Sequence, residues 1–156
     1  PEYKGSSGNW ATIASHGCGP TALSIILSSF TNTEINPMVV TQQTCQIGGC
    51  TGGGSYFGKI ADLAENYGYK VETVSKGGNL SKVTQALASG DSLVIALMGP
   101  GTFTSGGHYI VLTGVRSDGY ISVADPASRK RTETKWFSFN LIVEQVQNSG
   151  FIIITK

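Results

Sequence analysis

The 156-residue sequence is poor in charge and has no long apolar run. Only 13% of its residues are charged and the formal net charge is +1, so it lacks the basic face with which proteins track a phosphate backbone. Its longest apolar runs, "LSIIL" and "FIII", fall far short of the roughly 20 residues that span a bilayer. We therefore expect neither a nucleic-acid partner nor a segment inserted in a membrane.

The sequence also lacks internal repeats and linker-like runs. A chain of 156 residues can bury a core on its own, so we expect a single domain over residues 1–156. The sequence opens with Pro1 rather than Met, and neither a basic segment nor an apolar leader precedes Cys18. We therefore expect the chain to be one part of a longer protein with other domains, and any export signal to lie outside it.

Cysteine and histidine are scarce, at three and two residues. Cys45 and Cys50 bracket the short segment "CQIGGC", which could close as a disulfide in an oxidising compartment or hold two free thiols in a reducing one. A zinc site built from Cys45, Cys50, His16 and His108 would lack the cysteine spacing and paired histidines of familiar zinc modules. We therefore expect no metal and no cofactor. Cys18 is distant in sequence from the other two cysteines and is considered separately.

The order of the predicted elements indicates the fold class. Apolar periodicity and capping residues predict four helices in the first part of the chain: about 19–29, "NPMVVTQQ" capped by Asn36, a helix from a Ser55 cap to about Tyr67, and about 80–88. Strands are predicted at "YKVETV", "LVIALM", "HYIVLTGV", "YISVAD" and "FIIIT", with one more helix in "FNLIVEQVQ". Helices first and an antiparallel sheet second indicate an α+β protein.

The segment "HGCGPTAL" places Cys18 at the predicted start of the first helix. Pro20 suits the first turn of a helix, and glycines on both sides of the cysteine let a carbonyl group approach the sulfur closely. A helix N-terminus lowers the pKa of a thiol and presents unpaired N–H groups, which suits acyl chemistry. The alternative is that Cys18 is a small buried apolar residue.

A base and an orienting carboxylate are predicted on two consecutive strands. His108 begins "HYIVLTGV", and Asp125 ends the strand that returns after "RSDG". If Gly114 pairs with Gly119 across a four-residue loop, the antiparallel register places His108 directly opposite Asp125, close enough for a hydrogen bond. A two-residue loop would leave the two residues on the same face but too far apart. The alternatives are a histidine whose ring is satisfied in the core or at the surface, and an aspartate that caps a turn.

Three motifs in this order carry a resemblance to a known family. "GCGPTAL", "GGHYIVLTG" and "DGYISVADP" resemble the bacterial papain-fold cysteine peptidases related to the bacteriocin leader-processing, or double-glycine, peptidases. The resemblance covers nearly the whole chain. It implies a papain-like α+β fold with N-terminal helices packed on an antiparallel sheet, and a catalytic domain with Cys18 as nucleophile, His108 as base and Asp125 as the residue that orients it.

The oxyanion-hole position departs from the family pattern. Leader-processing members and papain carry a glutamine six residues before the cysteine, and that position here is Thr12. The resemblance therefore implies that Thr12, Ser15 or backbone N–H groups alone stabilise the oxyanion. This departure argues against a dedicated leader peptidase.

Within the family, the stretch "TIASHGCGPT" is most similar to modules of cell-wall-lytic proteins. This likeness implies a peptidoglycan substrate, cleaved in its peptide stems or cross-bridges, and an extracellular or cell-wall location. The first alternative is a peptidase that processes a protein or a leader peptide. The second is a binding module that kept the fold without catalysis, although such a module has no reason to keep all three residues.

Overall fold

The computed structural model describes residues 2–4, 10–12, 18–51, 54–126 and 136–156, and for residues 2–4, 10–12 and 18 it describes the backbone alone. The chain divides into two compact units, Pro1–Tyr69 and Lys70–Lys156, each described here by itself. The expectation of a single catalytic domain stays a prediction.

The part of the first unit that the structure describes contains a small hairpin and three helices. Strands β1 (Glu2–Lys4) and β2 (Trp10–Thr12) pair antiparallel. Helix α1 (Cys18–Thr31) packs against α2 (Pro37–Gln46) and α3 (Phe57–Asn66). The three helices lie where the sequence predicts them, whereas the hairpin was not predicted.

Local sequence explains where two of these helices begin. The Asn36 side chain accepts a hydrogen bond from Met38 N at 2.9 Å, and Pro37 occupies the first turn of α2, as predicted. Helix α3 begins one residue later than a Ser55 cap would require. Its cap position is Tyr56, which makes no side-chain capping bond, and Ser55 forms an isolated β-bridge with Cys50.

In its described residues, the second unit is a six-stranded antiparallel sheet with two helices. The strands are β3 (Lys70–Val74), β4 (Ser92–Met98), β5 (His108–Val115), β6 (Tyr120–Ala124), β7 (Trp136–Ser138) and β8 (Val146–Thr155). Their order across the sheet is β3-β8-β4-β5-β6-β7. The helices are α4 (Ser81–Ser89) and α5 (Phe139–Gln145). The predicted α+β class is confirmed.

One core cluster of the second unit lies on one face of this sheet. Because side chains alternate along a strand, every second residue of the central strands points to the same side. Helix α4 packs against β4, β5 and β8 on the sheet. The strand residues of this cluster are Val74, Val94, Ala96, Met98, Ile110, Leu112, Ile121, Val123, Val146, Phe151 and Ile153, and the helices add Val83, Leu87 and Ile142. His108 belongs to the same alternating series as Ile110 and Leu112, so it lies at the end of this core face.

Among the described residues, no helix has both the length and the apolar character needed to cross a bilayer.

Candidate active site

Cys18 is the first residue of α1, one position before the predicted start. The first N–H groups of an α-helix have no partner within the helix, and the helix dipole is positive at that end. The first turn carries no acidic residue that would oppose this field. The backbone therefore places Cys18 where a thiolate, and later an oxyanion, would be stabilised.

The structure brings His108 and Asp125 together. His108 opens β5, and Asp125 follows the last residue of β6. The His108 Nε2 and Asp125 Oδ1 atoms are 2.6 Å apart, and the two side chains are 6% and 0% exposed. Because an ionised carboxylate only accepts, Nε2–H is the donor, so Asp125 fixes both the tautomer and the direction of the ring.

The register that brings them together differs from the predicted one. Arg116 N donates to Tyr120 O, and Gly119 N donates to Arg116 O, both at 2.9 Å. These bonds close a loop over residues 117–119, in which Gly119 has φ of 85°, a conformation that favours glycine. The predicted four-residue loop and the direct pairing of His108 with Asp125 are therefore wrong.

A β-bulge at Thr113 decides which face Asp125 occupies. Gly114 pairs with Ser122, but Leu112 pairs with Val123, so Thr113 is an extra residue in β5. A regular ladder from this turn would place Asp125 on the opposite face from His108. The bulge shifts the register by one residue, which returns Asp125 to the face of His108 at a diagonal position that long side chains can bridge.

The β5–β6 turn is held by Arg116. Its guanidinium donates to Asp118 at 2.8 Å, and this hydrogen bond, with a second from Tyr120 N, holds the pKa of the exposed Asp118 carboxyl below its usual value. The guanidinium carbon also lies 5.1 Å from the ring centroid of Tyr120 and 4.7 Å from that of Trp136. Arg116 therefore contacts the turn, β6 and β7 at once, and these contacts hold in place the strand that leads to Asp125.

The two remaining cysteines are joined in a disulfide. Cys45 and Cys50 have a Cα–Cα distance of 4.8 Å and are both buried. Of the two alternatives that the sequence left open, the structure has the disulfide, so these sulfurs are not thiolate ligands for zinc. His16 lies outside the described residues. Within the part of the chain that is described, no three His, Cys, Asp or Glu side chains are placed to hold a metal ion.

Replacing both Cys45 and Cys50 with alanine is expected to lower the free energy of unfolding by about 2 kcal/mol, since the bond closes a loop of only five residues. Activity should be retained, and a zinc chelator should not inhibit the wild-type protein. Urea denaturation and an activity assay with and without chelator check this. Inhibition by chelator that added zinc reverses would contradict the disulfide assignment and restore the zinc hypothesis.

The described residues do not show Cys18, Thr12 or Ser15 in contact with the pair of His108 and Asp125. Cys18 belongs to the first unit, and His108 and Asp125 belong to the second. Ser15 lies outside the described residues, and Thr12 is described only as backbone in β2. The nucleophile and the oxyanion donor therefore stay predictions.

Comparison with known proteins agrees with this architecture. Residues 6–149 match the family described as Peptidase_C39 like family. The peptidase domain of Streptococcus ComA, a bi-functional ABC transporter involved in a quorum sensing pathway, has 14% identity and a TM-score of 0.64, with 93% of this chain and 96% of that chain covered. The peptidase domain of Streptococcus mutans ComA has 15% identity and a TM-score of 0.53 with the same coverage. A comparison with curated proteins found no match. At these identities the structural likeness shows the fold, and the predicted papain-like peptidase fold is confirmed.

Proposed function

The chain belongs to the Peptidase_C39 like family of cysteine peptidases, and from this premise we propose that it hydrolyses amide bonds through a thioester on Cys18. His108 is the general base and Asp125 the orienting carboxylate. The observation that carries this proposal is the buried hydrogen bond of 2.6 Å between His108 and Asp125. It gives the imidazole the fixed tautomer that a nucleophile–base pair needs.

The proposed reaction has two steps. With Nε2 committed to Asp125, Nδ1 of His108 accepts the thiol proton, and the Cys18 thiolate attacks the amide carbonyl carbon. The tetrahedral intermediate collapses as the imidazolium gives its proton to the leaving amine, which leaves a thioester. Water then attacks the thioester with His108 again as base, releasing a carboxylic acid and restoring the thiol.

Stabilisation of the oxyanion is assigned to the start of α1. Backbone N–H groups there point out of the helix, so they can donate to a carbonyl oxygen bound beside Cys18. In place of the glutamine of leader-processing relatives, Thr12 or Ser15 would complete the oxyanion hole, or these backbone N–H groups would form it alone.

The proposed substrate is bacterial peptidoglycan, cut in its peptide stems or cross-bridges. Two features support this choice: the likeness of "TIASHGCGPT" to modules of cell-wall-lytic proteins, and the absence of the glutamine typical of leader peptidases. The Cys45–Cys50 disulfide supports an extracellular or cell-wall location, because such bonds persist in oxidising compartments. Because fold alone does not determine substrate, the substrate needs its own test.

A second candidate function is the processing of a protein or leader peptide. It is favoured by the similarity to the peptidase domain of ComA, a transporter involved in quorum sensing. The third possibility, a binding module without catalysis, would have no use for the buried His108–Asp125 pair.

Mass spectrometry of digested peptidoglycan separates these candidates. We expect the purified protein to convert cross-linked muropeptides into smaller species, each cleavage adding one water, while the Cys18→Ala protein leaves them intact. A parallel digest of unfolded protein and of a double-glycine leader peptide tests the second candidate. Cleavage of these substrates with intact muropeptides would overturn the peptidoglycan proposal, and no cleavage of any would favour the binding module.

A further inference from the structure

The loop over residues 99–107 joins β4 to β5 and ends immediately before His108. Met98 and His108 form the last pair of the β4–β5 ladder at the base of this loop. Most loop residues are exposed. Gly99 and Phe103 are buried, and the Phe103 ring packs edge-on against Phe137 at 4.9 Å. Phe103 therefore anchors the loop in the core of the second unit.

The side chain of Gln145, the last residue of α5, supplies a second anchor. Its Oε1 accepts a hydrogen bond from Thr102 N at 2.7 Å, and its Nε2 donates to Thr102 Oγ1 at 3.0 Å. Its backbone carbonyl accepts from Gly99 N at 2.7 Å. One residue thus holds the loop both at its start and near its middle.

The loop backbone lies directly against two glutamine side chains. A Cβ atom added to Gly101 would lie 2.3 Å from Gln145 Oε1, and one added to Gly107 would lie 2.9 Å from Gln147 Nε2. Gln147 Nε2 in turn donates to Met98 O at 3.2 Å, on the residue that pairs with His108. A side chain at either loop position would therefore displace the end of the facing glutamine.

We propose that Gln145, supported by Gln147, is a positioning residue for His108. The inference rests on the proposed function, because it requires His108 to be the base. Asp125 sets the direction of the imidazole, and the glutamines set the position of the backbone that carries it. A displacement of about 1 Å in a catalytic group can reduce the rate of a reaction by up to about a hundredfold, so a loosened loop would slow the reaction without unfolding the protein.

Alkylation of Cys18 by iodoacetamide tests this inference without a known substrate. A thiol paired with an imidazolium stays reactive at about pH 6, whereas an isolated thiol reacts well only at about pH 9. The readout is the alkylation rate of Cys18 at about pH 6 divided by its rate at about pH 9, measured by mass spectrometry on the intact chain. The midpoint of thermal unfolding is measured separately. If the glutamines only stabilised the fold, their substitution would lower the midpoint of thermal unfolding and leave this rate ratio unchanged.

We expect Gln145→Met, which has similar size but no hydrogen bonds, to lower the rate ratio about fivefold. Gln145→Glu should stay within about twofold of wild type, because a carboxylate can accept both the Thr102 N–H and its hydroxyl. Gln147→Met should act in the same direction as Gln145→Met. The matched control is Gln85→Met, at an exposed position of α4, which should leave the ratio unchanged.

The His108→Ala variant distinguishes the two ways in which the idea can fail. If His108→Ala lowers the ratio while Gln145→Met and Gln147→Met do not, the positioning role is overturned and the proposed function stands. If His108→Ala leaves the ratio at the wild-type value, the proposed pair of Cys18 and His108 fails and the inference fails with it. If Gln145→Met does not fold, the Gln147→Met result decides in the same two ways.

Discussion

Replacing Cys18 with alanine is expected to reduce amide hydrolysis at least about a thousandfold, because no other group would form the thioester. The free energy of unfolding should change by less than about 1 kcal/mol, since alanine favours helix and the substitution removes a single sulfur atom. Product formation from a cleaved muropeptide or peptide, with a denaturation curve for each protein, measures both quantities.

Selective labelling provides the control for this prediction. Cys45 and Cys50 are bonded to each other, so iodoacetamide should label Cys18 alone in the folded wild-type protein. Cys18→Ser keeps the size and polarity of the side chain but not its nucleophilicity, and it should be as inactive as Cys18→Ala. Full activity in either variant, or equal labelling of Cys45, would refute the assignment of the nucleophile.

The second large loss of activity is expected on replacing His108, the proposed general base. His108→Ala should lower the rate of hydrolysis about a thousandfold, within the range that general acid–base catalysis supplies. The same substitution removes the Nε2–H donor from a carboxylate that is 0% exposed, which should destabilise the fold by about 3 kcal/mol. Steady-state kinetics and urea denaturation on the same preparations test the two losses separately.

Asp125→Asn is the matched comparison for His108→Ala. The asparagine oxygen can still accept the Nε2–H bond, and a Cys-His-Asn arrangement serves papain-like proteases, so we expect a loss of only about tenfold. Unfolding free energy should fall less than in His108→Ala, because the buried hydrogen bond to the imidazole is kept. An Asp125→Asn protein with wild-type rates at every pH would show that another group orients the ring.

Some features of the site follow from local sequence. Glycines around Cys18 with a proline two residues later predict a cysteine at a helix start, and the helix does begin at Cys18. The apolar run from His108 predicts a strand that begins at the histidine, as it does. Both depend on the preferences of a few neighbouring residues for one backbone conformation, which short-range patterns record well.

The register between strands was decided by the tertiary structure. The sequence places His108 and Asp125 on consecutive strands, but their shared face depends on a loop over residues 117–119 and on a bulge at Thr113. A shift of one residue would have turned Asp125 to the other face. Composition does not reveal such a shift, because several loop lengths and bulge positions are compatible with the same apolar alternation.

Gln145 is the clearest case of a role that only the folded chain assigns. It is the last residue of the short helix α5, and its partner Thr102 is 43 positions away in the sequence. The bond exists because β8 lies next to β4, which brings the end of α5 beside the loop before His108. Sequence by itself determined the fold class, the helix that begins at Cys18 and the strand that begins at His108, because local conformational preference and apolar period suffice for these. Strand order, register and the anchoring of the loop came from the tertiary structure, because they depend on which hydrogen-bonding partners meet across long sequence separations.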